Sequence, residues 1–113
     1  MNRMIKSLSL LTRKPHMSPE AFRRVWLSEH APMVRSVPGV SRYVLSFPLL
    51  EPTRPDVPSP AISCDAIAEL WFADRETWQR VSQSAEMKCV TDNGALYLGS
   101  IKTFVVEEVE IIS

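Results

Sequence analysis

At 113 residues, with 45% hydrophobic side chains, the chain fits one compact domain, and a domain of that size buries roughly two-thirds of the surface its unfolded chain exposes. Thirteen basic and thirteen acidic side chains cancel with no run of either sign, which argues against a nucleic-acid groove or a polybasic membrane patch. No apolar stretch approaches the roughly eighteen residues of a membrane span, and the start, Met1 to Lys6, lacks the apolar run of a signal peptide. Cys64 and Cys89 make neither a disulfide framework nor a metal-ligand spacing, so the expectation is a cytoplasmic protein without a metal site, whose partner is a small molecule or another protein.

Met4 to Thr12 reads as a first strand, interrupted at Lys14-Pro15. Ser18 then precedes Pro19 and Glu20, which supplies a capping hydroxyl, a ring pre-set at helical φ and a carboxylate in the positive first turn. This predicts a helix from Pro19 to about His30, with Pro32 kinking or ending it. Pro38-Gly39 marks a turn, and Val40 to Phe47 a second strand carrying Arg42 and Tyr43. Five prolines between Pro48 and Pro60 exclude helix and central strand, so 48–63 reads as a long loop within the single domain 1–113, of the kind used as a lid, binding loop or inter-subunit arm.

Asp65 to Phe72 is a third strand, after which Asp74 caps a helix starting at Arg75. Ser84 caps a continuation through Met87 and Val90, with Asn93-Gly94 as an interruption and Gly99 as its end. A last strand covers Ser100 to Val109. The order βαββαβ is the split βαβ pattern of a ferredoxin-like α+β domain, an antiparallel sheet with both helices on one face. Strands three and four are apolar on both alternating faces, and two helices cover only one, so the other face is expected to meet a second copy of the sheet in a homodimer.

His30 is the residue whose placement most demands a reason. Phe22 and Trp26 precede it by eight and four residues, and Met33, Val34 and Val37 follow on the same helical face. An imidazole in that stripe is desolvated, which disfavours its charged form and leaves it neutral near pH 7. On residues alone a buried structural histidine is the more frequent outcome. Tyr43 offers a hydroxyl to a substrate if it points at the helix layer, and is otherwise an ordinary strand aromatic. Glu69, a carboxylate in an apolar strand, needs a partner or a raised pKa; it either assists acid/base chemistry or pairs across subunits with Arg42 or Lys102. Trp26, Trp71 and Phe72 are candidate walls of an apolar pocket, though aromatics at such spacing are more often core.

The stretch Met17-Ser-Pro-Glu-Ala-Phe-Arg-Arg-Val-Trp-Leu-Ser-Glu-His-Ala-Pro32, followed by Val37-Pro-Gly-Val-Ser-Arg-Tyr43, Asp65-Ala-Ile-Ala-Glu-Leu-Trp-Phe72 and Lys102-Thr-Phe-Val-Val-Glu-Glu-Val109, resembles the EthD family of dimeric α+β barrel proteins. Within that family it is similar to the methylmuconolactone methylisomerases. The resemblance implies that His30 and Tyr43 fall on residues that handle protons and hold a lactone, and it reverses the odds on His30. It also implies that Leu70 replaces a cysteine, and a leucine cannot transfer a proton. The expectation is therefore a cofactor-independent isomerase or lyase-like enzyme for a small lactone, acid or aromatic metabolite, with His30 and Tyr43 catalytic and Trp26, Glu69, Trp71 and Phe72 at the substrate. Two alternatives stay open: a non-catalytic accessory or binding dimer of an oxidative pathway, and oxygen chemistry of the kind known in relatives of the barrel fold.

Overall fold

The computed structural model describes residues 4–113, so the first three residues of the Met1–Lys6 start lie outside the described residues. Four strands, β1 (Ile5–Arg13), β2 (Arg42–Ser46), β3 (Ala66–Phe72) and β4 (Leu98–Glu107), form one antiparallel sheet in the order β2-β3-β1-β4. The expected ferredoxin-like α+β topology is present. The helical layer comprises α1 (Pro19–Val25), a π-helical turn (Trp26–His30), α2 (Ala31–Arg35), α3 (Arg75–Ser82) and α4 (Ala85–Ala95).

Three of the helix starts follow directly from local chemistry. Ser18 Oγ accepts from Ala21 N–H at 3.1 Å, Asp74 Oδ1 from Thr77 N–H at 2.7 Å, and Ser84 Oγ from Met87 N–H at 3.1 Å. Pro32 does not end the first helix. Proline cannot supply the usual amide bond, so the chain widens into a π turn in which Ala31 N–H reaches back to the Trp26 carbonyl, and helix then continues to Arg35. Asn93-Gly94 does not interrupt α4 either, and Gly99 lies inside β4, beside a register shift at Thr12/Arg13 where an added Cβ would meet the Arg13 carbonyl at 2.7 Å. Gly39 takes a positive φ of 96°, and a Cβ there would collide with Val81, so the turn into β2 requires glycine.

Cross-strand register fixes which side chains share a face. Ser7 faces Leu70, Ser9 faces Ala68 and Leu11 faces Ala66 on β3, while Val105, Thr103 and Ile101 of β4 stand opposite the same three β1 residues. Tyr43 and Leu45 of β2 continue these rows past Leu70 and Ala68. This is the helix-facing side, where Leu11, Ala66 and Ala68 pack with Phe22 and Trp26, and Phe72 packs with Val34, Val37, Val81 and Val90. Leu8, Leu10, Val44, Ile67, Phe104 and Val106 occupy the opposite face, which no helix covers. The segment between β2 and β3 carries no regular secondary structure and is exposed from Pro48 to Ser63.

Candidate active site

The site grows from the first helix. Phe22, Trp26 and His30, four residues apart, form a continuous stack, with ring centroids 5.2 Å apart for the first pair and 3.8 Å for the second. All three are buried, His30 to 6% exposure. His30 closes the π turn, so the helix can place an imidazole on Trp26 while carrying on through Pro32.

Across the helical layer, α4 supplies the partner. His30 Nδ1 lies 3.0 Å from Asn93 Oδ1. With that oxygen as acceptor, Nδ1 carries the proton and Nε2 holds the lone pair. Nε2 has no hydrogen bond to any of the described residues, yet it is not sealed in, because His30 borders a cavity. Burial pushes the imidazole below its ordinary value of 6.5, against a smaller upward pull from Asn93. A neutral base at pH 7 results. The next residue, Gly94, makes the approach of the two helices feasible: a Cβ there would lie 3.2 Å from His30 Cε1 and 3.3 Å from Trp26 Cη2. The sequence marked Asn93-Gly94 only as a break; no local signal points from it to His30.

The cavity lies between the helices and the sheet, with a volume of about 580 Å³. Trp26, His30, Tyr43, Leu70 and Phe72 line it, and Ser7, Ser9 and Thr103 form part of its sheet side. Tyr43 does point at the helix layer. Burial raises its phenol to about 12, so it remains an O–H donor at neutral pH. The Trp26 indole N–H is near enough to ease this shift slightly, but no regular hydrogen bond joins the two, and Trp26 Nε1 is a buried donor without a protein acceptor. Leu70 sits in the wall, so this cavity contains no thiol; Cys64 and Cys89 lie elsewhere as free cysteines. A second cleft, of about 460 Å³, lies by α2 and β2 and holds Arg35 and Arg42 but no side chain suited to act as a base at neutral pH.

Glu69 and Trp71 are not part of this site. They alternate with Leu70 and Phe72 and therefore project from the opposite face of the sheet. There Lys6 Nζ bonds Glu69 at 2.7 Å and Glu108 at 3.0 Å, Trp71 Nε1–H donates to Glu108 at 2.5 Å, and the Arg42 guanidinium lies over the Trp71 ring at 4.6 Å. Glu69 thus has a partner within its own chain, Lys6. The Glu69 bond is the main reason the Lys6 ammonium is raised above its usual value, and Lys6 then Trp71 hold Glu108 below the usual carboxylate range. Among the described residues no group of three or more His, Cys, Asp or Glu is placed to hold a metal ion. No helix among them is long and apolar enough to cross a membrane.

A four-stranded antiparallel sheet in this order, with a neutral histidine and a tyrosine facing each other's layer across a cavity, defines a ferredoxin-like α+β domain whose candidate site is that cavity. The chain belongs to the EthD family, whose domain pattern matches residues 14–97. It is 35% identical over 106 residues to a 4-carboxymethyl-4-methylbutenolide mutase of Pseudomonas reinekei, covering 93% of this chain and 98% of that protein. An EthD family protein of Bacillus halodurans has the same fold, with a TM-score of 0.75 at 21% identity over 94% of this chain and 99% of that one. Hydroxynitrile lyase of Passiflora edulis also shares it, with a TM-score of 0.75 at 11% identity over 100% of both chains.

Proposed function

We propose that this protein is a cofactor-independent isomerase of a small butenolide-type lactone, with His30 as base and proton shuttle and Tyr43 as donor to a substrate oxygen. The observation that carries the reading is the state of His30: Nδ1 is committed to Asn93, and a neutral Nε2 borders a cavity large enough for a small lactone. His30 removes a proton from the CH2 beside C4 as the C4–O ring bond breaks, Tyr43 O–H bonds the ring oxygen as it leaves with its carboxylate, the other carboxylate closes a new ring on the diene, and the imidazolium returns the same proton to a different carbon. Nothing is oxidised or reduced. Positioned acid/base groups of this kind contribute about 10²–10⁴-fold. The likeness to a butenolide mutase over nearly the whole chain supports the substrate class. Since Leu70 lines the cavity, the scheme uses no thiol.

A filled core beside His30 would favour an accessory protein that binds no ligand, whereas a non-catalytic binding dimer needs the same space and is separated from an enzyme only by turnover. The cavity weighs against the first of these. The uncovered apolar sheet face supports a homodimer, and the two free cysteines accord with a reducing, cytoplasmic setting. The decisive experiment is turnover of 4-carboxymethyl-4-methylbutenolide by the wild type and by His30→Ala, with circular dichroism to check folding. The variant should stay folded and lose at least about a hundredfold in kcat. Full activity in it would remove His30 from the mechanism.

A further inference from the structure

The helix-facing side of the sheet is apolar along Leu11, Ala66, Ala68 and Leu45, but β1 and β4 interrupt it with three hydroxyls, Ser7, Ser9 and Thr103. Ser9 is only 8% exposed. Burying a hydroxyl without compensation costs about 1–3 kcal/mol, so its hydrogen bonds have to be accounted for. Ser9 Oγ and Thr103 Oγ1 are 2.8 Å apart. That pair has two hydroxyl hydrogens and consumes one in its mutual bond. The other is donated to no described protein atom, and the half-buried Ser7 hydroxyl likewise has no hydrogen-bond partner among the described residues. All three residues line the His30 cavity.

The charge of the cavity limits what these donors can receive. Its lining includes no Lys, Arg, Asp or Glu, and its histidine and tyrosine are both held neutral. Thr103 lies at the open side of the cavity, but a carboxylate seated at the buried Ser9 would lose much of its hydration with no counter-charge, whereas a carbonyl oxygen needs only the hydrogens on offer. We propose that Ser7, Ser9 and Thr103 form a subsite for a neutral acceptor oxygen, taking the ring carbonyl of a lactone substrate and leaving any carboxylate substituent toward solvent. This rests on the lactone reading of the cavity. A Ser–Thr pair across two strands also supports a sheet by itself, at about 0.2–1 kcal/mol, so the test must read binding and not only stability.

The test is equilibrium binding of two probes, β-angelica lactone and its carbonyl-free dihydrofuran analogue, followed by the NMR signals of the His30 ring. The wild type should bind the lactone about tenfold more tightly than the analogue. Thr103→Val and Ser9→Ala should bring that ratio toward one while the Kd of the analogue stays within about twofold, and Ser7→Ala, which breaks no protein hydrogen bond, should lower the ratio without touching the fold. A ratio near one in the wild type, failure of the lactone to bind, or a wild-type ratio in all three variants would overturn the subsite. Because the measurement involves no turnover, the expected ratios together with no isomerisation of any lactone would refute the proposed reaction and leave the subsite standing.

Discussion

Replacing Asn93 by Asp changes one atom of a side chain and reverses the electrostatics of His30. The new carboxylate oxygen would sit where Asn93 Oδ1 now lies, 3.0 Å from Nδ1. An opposite charge at such range typically moves a pKa by about 1–3 units, equivalent to about 1.4–4 kcal/mol. Burial now holds His30 below 6.5; the carboxylate should carry it above that value, so the base is protonated at neutral pH. The C2-proton shift of His30 against pH reads this directly. In parallel, the acid limb of kcat/KM against pH should move to higher pH by the same interval. Folding stability should change slope as well. In the wild type the unfolded chain takes up a proton near 6.5 that the folded protein refuses until lower pH, so stability rises with pH across that window and is level above it. In Asn93→Asp the folded state keeps the proton longer, and stability should fall as pH rises from about 6.5 through the raised pKa. An unchanged or lowered His30 titration would refute the assignment of Asn93 as the group that positions the imidazole.

Gly94→Ala gains about 1 kcal/mol of helix propensity but sets a Cβ 3.2 Å from His30 and 3.3 Å from Trp26, a crowding that costs about 1–3 kcal/mol. Urea unfolding should show a net loss, with turnover falling further than stability; a stabilised, fully active variant would show that the stack yields freely. Tyr43→Phe should keep the fold and lower kcat, and the tyrosinate absorbance lost with it should be one that titrates only near about 12 in the wild type. Because the phenol is held protonated in the fold beyond its ordinary 10.0, wild-type stability should decline as pH rises from about 10 toward 12, a decline that Tyr43→Phe removes. Phe104→Asp, at a side chain 49% exposed on the uncovered sheet face, should leave the His30 titration intact and shift sedimentation from dimer to monomer. A wild type that sediments as a monomer would refute the role given to that face.

Where the chain speaks through neighbours in sequence, its signals are readable and the fold follows from them. Ser18, Asp74 and Ser84 cap helices because each hydroxyl or carboxylate reaches an amide three residues on. Strand alternation was equally readable and bears on the site: Trp71 and Phe72 are adjacent, so they cannot wall the same pocket, and with Leu70 and Phe72 facing the helices, Glu69 and Trp71 must face away. Pro32 allows two local outcomes, a kink or an end, and only the structure shows that a π turn absorbs it and the helix goes on.

The sequence by itself determined the order of the elements, the stripe that carries Phe22, Trp26 and His30, and the desolvation that makes the imidazole neutral, because periodicity and capping act over a few residues. Only the tertiary structure decided which ring nitrogen is left without a hydrogen bond and what it faces. Asn93 is 63 residues from His30, and Ser9 is 94 from Thr103. No pattern of short range links them; they meet because Gly94 lets α4 close on the first helix and because β4 returns beside β1, and the cavity between those layers is what turns a buried histidine into a candidate base.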